Sequence, residues 1–295
     1  CCDAVSCYPL QLGSRNEVIR LARLAGAPDC FYPTMEERGL VRTAEGQQRR
    51  IRIEAEDDCG NRSSLEFTIR GRTESFRAEP DTAAVAVYPD RTSLLQVGRE
   101  ARISIPEGAL YEPVFAKPER RETPQADSGV VVLSPAYRFL SPETPLRHAA
   151  AVTIRTHVPR PLQLQTVLAV RNRKGRLAHV GGTYANGAVT ATTYATGDLT
   201  VVADTLPPSI RPLFTEGADL SKAEGLRFRV ADNFSGIAAW TLRIDGEWVP
   251  CDRFPVKGTL VHFFDNPATR RKHEVQLSVR DGCGNTAHFR GIFYR

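Results

Sequence analysis

A chain of 295 residues is too long for one ordinary core and indicates two or three domains. It is 41% hydrophobic and 25% charged, as is typical of soluble globular proteins, and no run of about 18 apolar residues predicts a transmembrane helix. The net charge of +5 comes from arginines scattered among acidic residues, which indicates a solvated surface rather than a nucleic-acid interface.

The start of the chain has neither an initiating Met nor the apolar stretch of a signal peptide. We therefore expect that such a part has been removed or that the chain is a fragment of a longer protein. The first candidate element is NEVIRLARLAG at 16–26, whose apolar spacing fits a helix, although a strand would also fit.

One motif occurs twice, as DDCGN at 57–61 and as DGCGN at 281–285. Strict alternation before each copy, IRIEAED and VQLSVRD, predicts a strand with one buried face, and a strand-like run follows. Each copy is thus predicted to be a β-hairpin. Turn chemistry explains the motif, because Asp accepts bonds from following amides while Gly and Asn tolerate positive φ. A Ca²⁺ or ligand role for the Asp and Asn is the alternative.

The cysteines suggest two disulfides in equivalent positions. Cys30 precedes Cys59, and Cys251 precedes Cys283, each by about thirty residues. Two such crosslinks would contribute roughly 3–4 kcal/mol each and would imply an oxidising, extracytoplasmic compartment. Four reduced thiols in a cytosolic protein are the alternative. Three further cysteines leave an odd number without assignment: Cys1, Cys2 and Cys7.

Strand patterns fill the region between the two copies. β-branched residues are frequent at 101–110, 130–140, 150–159 and 166–205. Within the last range, Lys174-Gly175 and Asn186-Gly187 predict hairpin turns.

A polar, proline-containing segment at 115–128 predicts a long exposed loop.

Glycines and prolines between the strand patterns predict three modules, at 1–71, 72–204 and 205–295. The linker DTLPPSIRP at 204–212 contains two consecutive prolines, which stiffen the joint between neighbouring modules. We expect an all-β fold of tandem immunoglobulin-like β-sandwich modules. Whether the first module is truncated at its N-terminus is left open by the sequence.

The last module contains a D-x-x-S-G turn and an Asp-Gly hairpin turn, whose two arms carry Trp240 and Trp248. Core packing is the default interpretation of both tryptophans, and a sugar-stacking platform is the alternative. The arginine clusters add four further candidate ligand contacts: Arg171, Arg173, Arg270 and Arg271.

No catalytic or metal-binding motif is present in the sequence. The six histidines form none of the short chelating spacings, such as H-x-H or H-E-x-x-H, and neither a G-x-S-x-G elbow nor a phosphate-binding loop occurs. We predict no catalytic residue, no metal ligand and no cofactor for this chain.

The order of several motifs resembles a known family. R-I-E-A-E-D-x-C-G-N, I-P-E-G-A-L-Y, V-G-G-T-Y-x-N-G, G-D-L-T-V-V-A-D-T-x-P-P, D-N-F-S-G-I and I-D-G-E-W follow one another. The region from about 40 to 295 is similar to the β-rich part after the catalytic domain in lysostaphin-type murein metallopeptidases (family M twenty-three) of anaerobic Gram-negative bacteria.

This resemblance implies that the chain is part of a longer periplasmic or cell-surface protein, and that this longer protein cleaves peptidoglycan cross-bridges. The zinc of that longer protein would be held by a His and an Asp of one motif and by the second His of an H-x-H motif, and none of these matches a position in this chain. The expected function is therefore a non-catalytic accessory region that positions an upstream catalytic domain or contacts the envelope. The expected partner is that domain, with peptidoglycan or envelope glycans as a further candidate, and nucleic acid is not expected.

Two other classes of function remain open. The chain could be a stand-alone surface adhesin or glycan-binding lipoprotein, with Cys1 as the lipid-bearing residue. It could also be an enzyme whose site is assembled from distant loops.

Overall fold

The computed structural model describes residue 22 and residues 36–72, 83–172, 174–254, 257–265, 269 and 271–295. These residues form β-strands, turns and two short 3-10 helices, so the prediction of an all-β fold is confirmed. Within the same residues, no helix has the length and apolar character needed to cross a bilayer. The predicted helix at 16–26 lies outside the described residues, except for residue 22.

Contacts divide the chain into two compact units, residues 1–85 and 86–295. The described part of the first unit begins with a 3-10 helix, Glu36–Gly39. It then forms a hairpin of two antiparallel strands, β1 (Gln48–Glu56) and β2 (Arg62–Arg70), in register from Gln48 opposite Arg70 to Glu56 opposite Arg62. The first predicted hairpin is thus confirmed, but its predicted buried face is wrong, because every residue of β1 and β2 is exposed or half-buried.

The strands from residue 85 to residue 204 build a middle sandwich. In chain order they are β3 (Val85–Val87), β4 (Ser93–Val97), β5 (Ala101–Ile105), β6 (Val114–Ala116), β7 (Glu119–Arg121), β8 (Val130–Val132), β9 (Ala136–Arg138), β10 (Ala150–Arg155), β11 (Thr166–Arg171), β12 (Leu177–Gly181), β13 (Thr183–Ala185), β14 (Ala188–Thr193) and β15 (Asp198–Asp204). A 3-10 helix, Arg160–Gln165, precedes β11.

Two sheets of this sandwich enclose its core. One has the order β13-β14-β10-β5-β4, and the other β12-β11-β15-β9-β7, with β8 also paired to β15. Buried side chains from both sheets, such as Ile103, Val152, Leu168 and Val201, form one hydrophobic cluster. The alternation of apolar residues produces this packing, since every second side chain of a strand faces the same side.

The predicted loop at 115–128 is wrong in part, because it contains β7. This three-residue strand pairs with β9 at the edge of its sheet. An edge strand tolerates charged side chains, so its sequence, Glu-Arg-Arg, carries no hydrophobic pattern that would reveal it.

The strands from residue 209 onward build a last sandwich. They are β16 (Ser209–Pro212), β17 (Ala218–Asp219), β18 (Gly225–Ala231), β19 (Ile237–Ile244), β20 (Glu247–Val249), β21 (Asp252–Phe254), β22 (Thr259–Phe263), β23 (Lys272–Asp281) and β24 (Thr286–Tyr294). Their sheets have the orders β16-β18-β22-β21 and β17-β24-β23-β19-β20. Phe228, Leu260, Leu277 and Phe293 are among the core residues between them.

The predicted hairpin turns are confirmed. Residues 185 and 188 face each other across Asn186-Gly187, and residues 244 and 247 across Asp245-Gly246. Both central residues of each turn have positive φ, which is the requirement of a two-residue type I′ turn. Strands β11 and β12 likewise pair on either side of the segment with Lys174-Gly175, and β23 pairs with β24 across the second D-x-C-G-N turn.

A third hydrophobic cluster joins the middle and last sandwiches. Val167, Ala169 and Val202 of the middle sandwich pack with Cys283, and Phe234 borders the same cluster. These contacts place residues 86–295 in one compact unit. The predicted boundary at 204 falls between the two pairs of sheets, and the predicted boundary at 71 falls inside the first unit.

Candidate functional site

The repeated motif forms the same hydrogen-bonded turn in both copies. In the second copy Asp281 Oδ1 accepts the amides of Cys283 at 2.9 Å and Asn285 at 2.8 Å, and Asn285 Nδ2 donates to Asp281 Oδ2 at 2.7 Å. In the first copy Asp57 makes the corresponding three bonds at 2.9, 2.9 and 2.8 Å, the last two with Asn61. Local turn chemistry therefore accounts for the motif in both places.

A second turn, D-N-F-S-G at 232–236, packs against the second copy of the motif. Asp232 Oδ2 accepts the amide of Phe234 at 3.0 Å and that of Gly236 at 2.7 Å. The Gly282 amide in turn donates to the Gly236 carbonyl at 3.1 Å. A side chain at Gly282 would meet the carbonyl oxygen of Ser235 at 2.7 Å, so the two turns approach closely only because position 282 is glycine.

Both turns meet the end of β15 at Asp204, a fully buried residue. Ser235 Oγ donates to Asp204 Oδ2 at 2.7 Å, and the Leu206 amide donates to its Oδ1 at 3.3 Å. The Asp204 carbonyl accepts a bond from Asn285 Nδ2 at 3.0 Å. The last strand of the middle sandwich is thereby tied to both turns of the last sandwich.

Three carboxylates converge where the end of β15 meets the turns at 232–236 and 281–285, a contact called the joint below. Oxygen atoms of Asp204, Asp232 and Asp281 lie within 4.8 Å of one another, and two of these residues are buried. Desolvation by burial raises the pKa of Asp204, the Ser235 hydrogen bond opposes this, and the negative charges of Asp232 and Asp281 raise it further. Asp232 Oδ1 is buried without a hydrogen-bond partner.

Such an arrangement can hold a proton or supply several oxygens to a hard divalent cation such as Ca²⁺. The sequence predicts no metal ligand, and its Ca²⁺ alternative includes Asp281 of the D-x-C-G-N turn but neither Asp204 nor Asp232. Each Asp lies in a strand-end or turn segment where its local role is explained, so only the fold reveals that the three meet.

Further contacts of the joint surround the carboxylates. Gln165 Nε2 donates to Asn285 Oδ1 at 2.6 Å, and Asn233 Nδ2 donates to the Ser128 carbonyl at 3.0 Å. His179 packs edge-on against the Phe234 ring at 5.7 Å. Burial lowers the pKa of His179, although the three carboxylates act in the opposite direction.

The tryptophans occupy different environments. Trp240 is half-buried against the core, and its Nε1 donates to the Cys251 carbonyl at 2.8 Å. Its indole N–H thus has the acceptor that a buried tryptophan needs, which agrees with the core-packing interpretation. Trp248 is 63% exposed, so the core-packing interpretation is wrong for it. Its strand is at the sheet edge, where the alternating neighbour Val249 packs inward instead.

The two candidate arginines that the structure describes, Arg171 and Arg271, lie in separate ion pairs. Arg171 lies 3.5 Å from Asp198, and Arg271 lies 3.3 Å from Asp245. Each ion pair therefore engages one of the candidate contacts. Arg173 and Arg270 lie outside the described residues.

The three described cysteines are free thiols. Cys59 is exposed, Cys251 is half-buried, and Cys283 is buried. Cys251 packs with the core of the last sandwich while Cys283 packs in the cluster at the joint, and the predicted bond between them is not formed. Burial raises the pKa of both thiols to about 11. Cys30 lies outside the described residues, but its predicted partner Cys59 is a free thiol, so the predicted bond between Cys30 and Cys59 is not formed either.

A separate pocket of about 450 Å³ in the last sandwich contains an Asp–His pair. His273 Nδ1 lies 2.7 Å from Asp245 Oδ2, an arrangement that orients an imidazole in hydrolases. Of its described lining residues, none is a Ser or a Cys, and Thr269 donates its hydroxyl to the Arg295 carbonyl. The pair therefore lacks the activated nucleophile that acyl transfer needs.

Comparison with protein families gives a match for the middle sandwich. Residues 87–204 match a family described as a Zu5-like domain, a span that coincides with the middle sandwich and covers less than half of the chain. Among curated proteins, no match to the chain is found.

Proposed function

We propose that this chain is a non-catalytic accessory β-sandwich region of a cell-envelope peptidoglycan metalloendopeptidase, and that it holds an upstream catalytic domain at a defined distance. The observation that carries the positioning role is the polar joint between the middle and last sandwiches. The resemblance of residues 40–295 to the region after the catalytic domain of lysostaphin-type peptidases carries the link to peptidoglycan.

Positioning requires a fixed angle between modules, and the joint supplies the means. Ser235, Asn233 and Asn285 each make a directional hydrogen bond to the middle sandwich, at 2.7, 3.0 and 3.0 Å respectively. Rotation of one sandwich would break these bonds and deprive the buried Asp204 and Asn285 of hydrogen-bond partners, which costs about 1–3 kcal/mol per group. Two domains joined by a flexible linker alone would lack this restraint.

Residual dipolar couplings test the rigid joint. In the wild-type chain, couplings from residues 86–204 and from residues 209–294 are expected to fit a single alignment tensor. In Asn285→Ala they are expected to need two. Two tensors in the wild-type chain would overturn the positioning role.

The peptidase link has its own test. The gene is expected to encode, upstream of these residues, a domain with an H-x-H motif and a second zinc-binding segment. Turnover of peptidoglycan by the 295-residue chain alone would overturn the non-catalytic assignment.

A second candidate function, a stand-alone glycan-binding or adhesive protein, is favoured by one observation. One sheet of the middle sandwich exposes arginines and threonines, and its five strands contain neither Asp nor Glu.

A further inference from the structure

The five strands of one sheet in the middle sandwich carry no acidic residue. These strands, β4, β5, β10, β13 and β14, are described in full and contain neither Asp nor Glu. Strand alternation directs Ile103, Val152 and Val189 into the core, so the intervening positions face outward. These outward positions carry arginine, glutamine, serine, threonine and small or aliphatic side chains.

Three arginines gather at one end of this face. Arg99, Arg102 and Arg155 line a depression of about 480 Å³. The strand register places Gln96 opposite Arg102 and Arg102 opposite Thr153, and all five residues line the depression. Their clustering arises from the sheet, because Arg102 and Arg155 come from neighbouring strands.

The three guanidinium groups have no acidic partner. Among the ion pairs of the described residues, none includes Arg99, Arg102 or Arg155. Glu100 lines the same depression and sets one carboxylate, whose Oε2 accepts a hydrogen bond from the Tyr137 hydroxyl at 3.3 Å, against the three guanidinium groups. The depression therefore presents positive charge to solvent.

Hydroxyl groups continue from the arginines across the sheet. Thr153 lies opposite Thr190, and Thr190 lies opposite Thr183 on the edge strand. With a strand spacing of about 4.8 Å, the row from Gln96 through Arg102 to Thr183 extends over roughly 19 Å. A ligand that follows this row would meet guanidinium groups at one end and hydroxyl groups along the rest.

We infer that this arginine–threonine face binds an anionic polysaccharide. Guanidinium groups bind carboxylate and phosphate through paired hydrogen bonds, and threonine hydroxyls can exchange hydrogen bonds with sugar hydroxyls. The outward positions of the five strands carry no aromatic ring, so the face lacks the platforms that stack nucleic-acid bases and the usual anchors of a protein interface. This inference is independent of the peptidase assignment.

Binding of the full chain to defined polymers tests the inference. Polygalacturonate supplies carboxylates, phosphomannan supplies phosphates, and uncharged dextran is the matched neutral polymer. Binding to either charged polysaccharide, weakened by salt and absent with dextran, is expected, and the stronger of the two identifies the anion. Equal binding to dextran, or tighter binding to poly-glutamate or oligo-dT, would overturn the ligand class.

A triple variant, R99Q/R102Q/R155Q, locates the site. It is expected to weaken polysaccharide binding by about tenfold or more, since each exposed charge pair contributes modestly and three are removed.

The matched control removes three exposed arginines of the last sandwich. The variant R211Q/R280Q/R290Q changes the net charge equally and is expected to bind like the wild type. Equal loss in both triple variants would show a general charge effect and refute the site.

A single variant tests the hydroxyl row without changing charge. Thr190→Val keeps the side-chain shape and is expected to weaken polysaccharide binding by about threefold, the effect of one lost hydrogen bond. It should leave binding of inorganic phosphate unchanged. Unchanged polysaccharide binding would show that the polymer does not follow the row.

Discussion

Replacement of Asn285 by alanine removes the side chain that links the second D-x-C-G-N turn to the middle sandwich. This buried amide makes three hydrogen bonds, with Asp281 at 2.7 Å, with the Asp204 carbonyl at 3.0 Å and with Gln165 at 2.6 Å. Alanine deletes all three and leaves buried partners unpaired. Because each such loss costs about 1 kcal/mol or more, Asn285→Ala is expected to destabilise the last sandwich by about 2–4 kcal/mol.

Urea unfolding followed by tryptophan fluorescence measures this loss. Both tryptophans of the chain, Trp240 and Trp248, lie in the last sandwich, so their signal reports on that part alone. With a slope of about 2 kcal/mol per molar urea, the midpoint is expected to fall by roughly 1–2 M.

The first copy of the motif provides the matched control. Asn61 makes the same side-chain bond within its turn, to Asp57 at 2.8 Å, but it is exposed and has no bond corresponding to that with the Asp204 carbonyl or Gln165. Asn61→Ala is therefore expected to leave the tryptophan-monitored midpoint unchanged. A shift in Asn285→Ala below about 0.5 kcal/mol would refute the conclusion that the joint bonds stabilise the last sandwich.

Three further predictions follow from burial. Because burial raises the pKa of Asp204, protonated Asp204 favours the folded state below its unfolded pKa, and this contribution to stability is lost as pH rises through its folded pKa. The stability of Asp204→Asn relative to wild type should therefore increase from pH 3.5 to pH 7. Urea unfolding in buffer with a chelator measures this difference, and a decrease would contradict the argument. Trp240→Ala should destabilise the last sandwich by about 3 kcal/mol, whereas replacement of the exposed Trp248 by alanine should cost under about 1 kcal/mol. Unfolding followed by circular dichroism measures both losses, and equal losses would contradict the environments assigned to the two tryptophans. At pH 8 a disulfide reagent should label exposed Cys59 rapidly and Cys283 only on unfolding, since burial raises the Cys283 pKa to about 11; rapid labelling of both would contradict this.

Features encoded by neighbouring residues could be predicted from the sequence. The alternation of IRIEAED and the turn signals that follow it predict a hairpin, and the structure has it from Gln48 to Arg70. The same holds for Asn186-Gly187, whose positive φ values follow from residue type. In contrast, Glu119–Arg121 is a strand only because β9 is available beside it, and nothing within three charged residues indicates that.

The candidate sites depend on contacts that no local pattern records. Asn285 lies 120 residues from Gln165 and 81 residues from Asp204, and the sequence around each explains only its own strand or turn. The arginine–threonine face depends on the register of five strands, which places Thr190 between Thr153 and Thr183. Sequence reasoning selected arginines by their density along the chain instead.

The recurrence of D-x-C-G-N is explained by what the turn leaves unused. Asp57 and Asp281 complete their turns with the same bonds to the following amides, so the hydrogen bonds of each turn lie within the motif itself. The Asn amide still has one N–H and its oxygen to offer once the turn is made. In the second copy these groups bind the Asp204 carbonyl and Gln165, whereas the turn at 57–61 is exposed. The motif is therefore first a hairpin turn, and it becomes a joint only where the middle sandwich places a carbonyl and an amide against it.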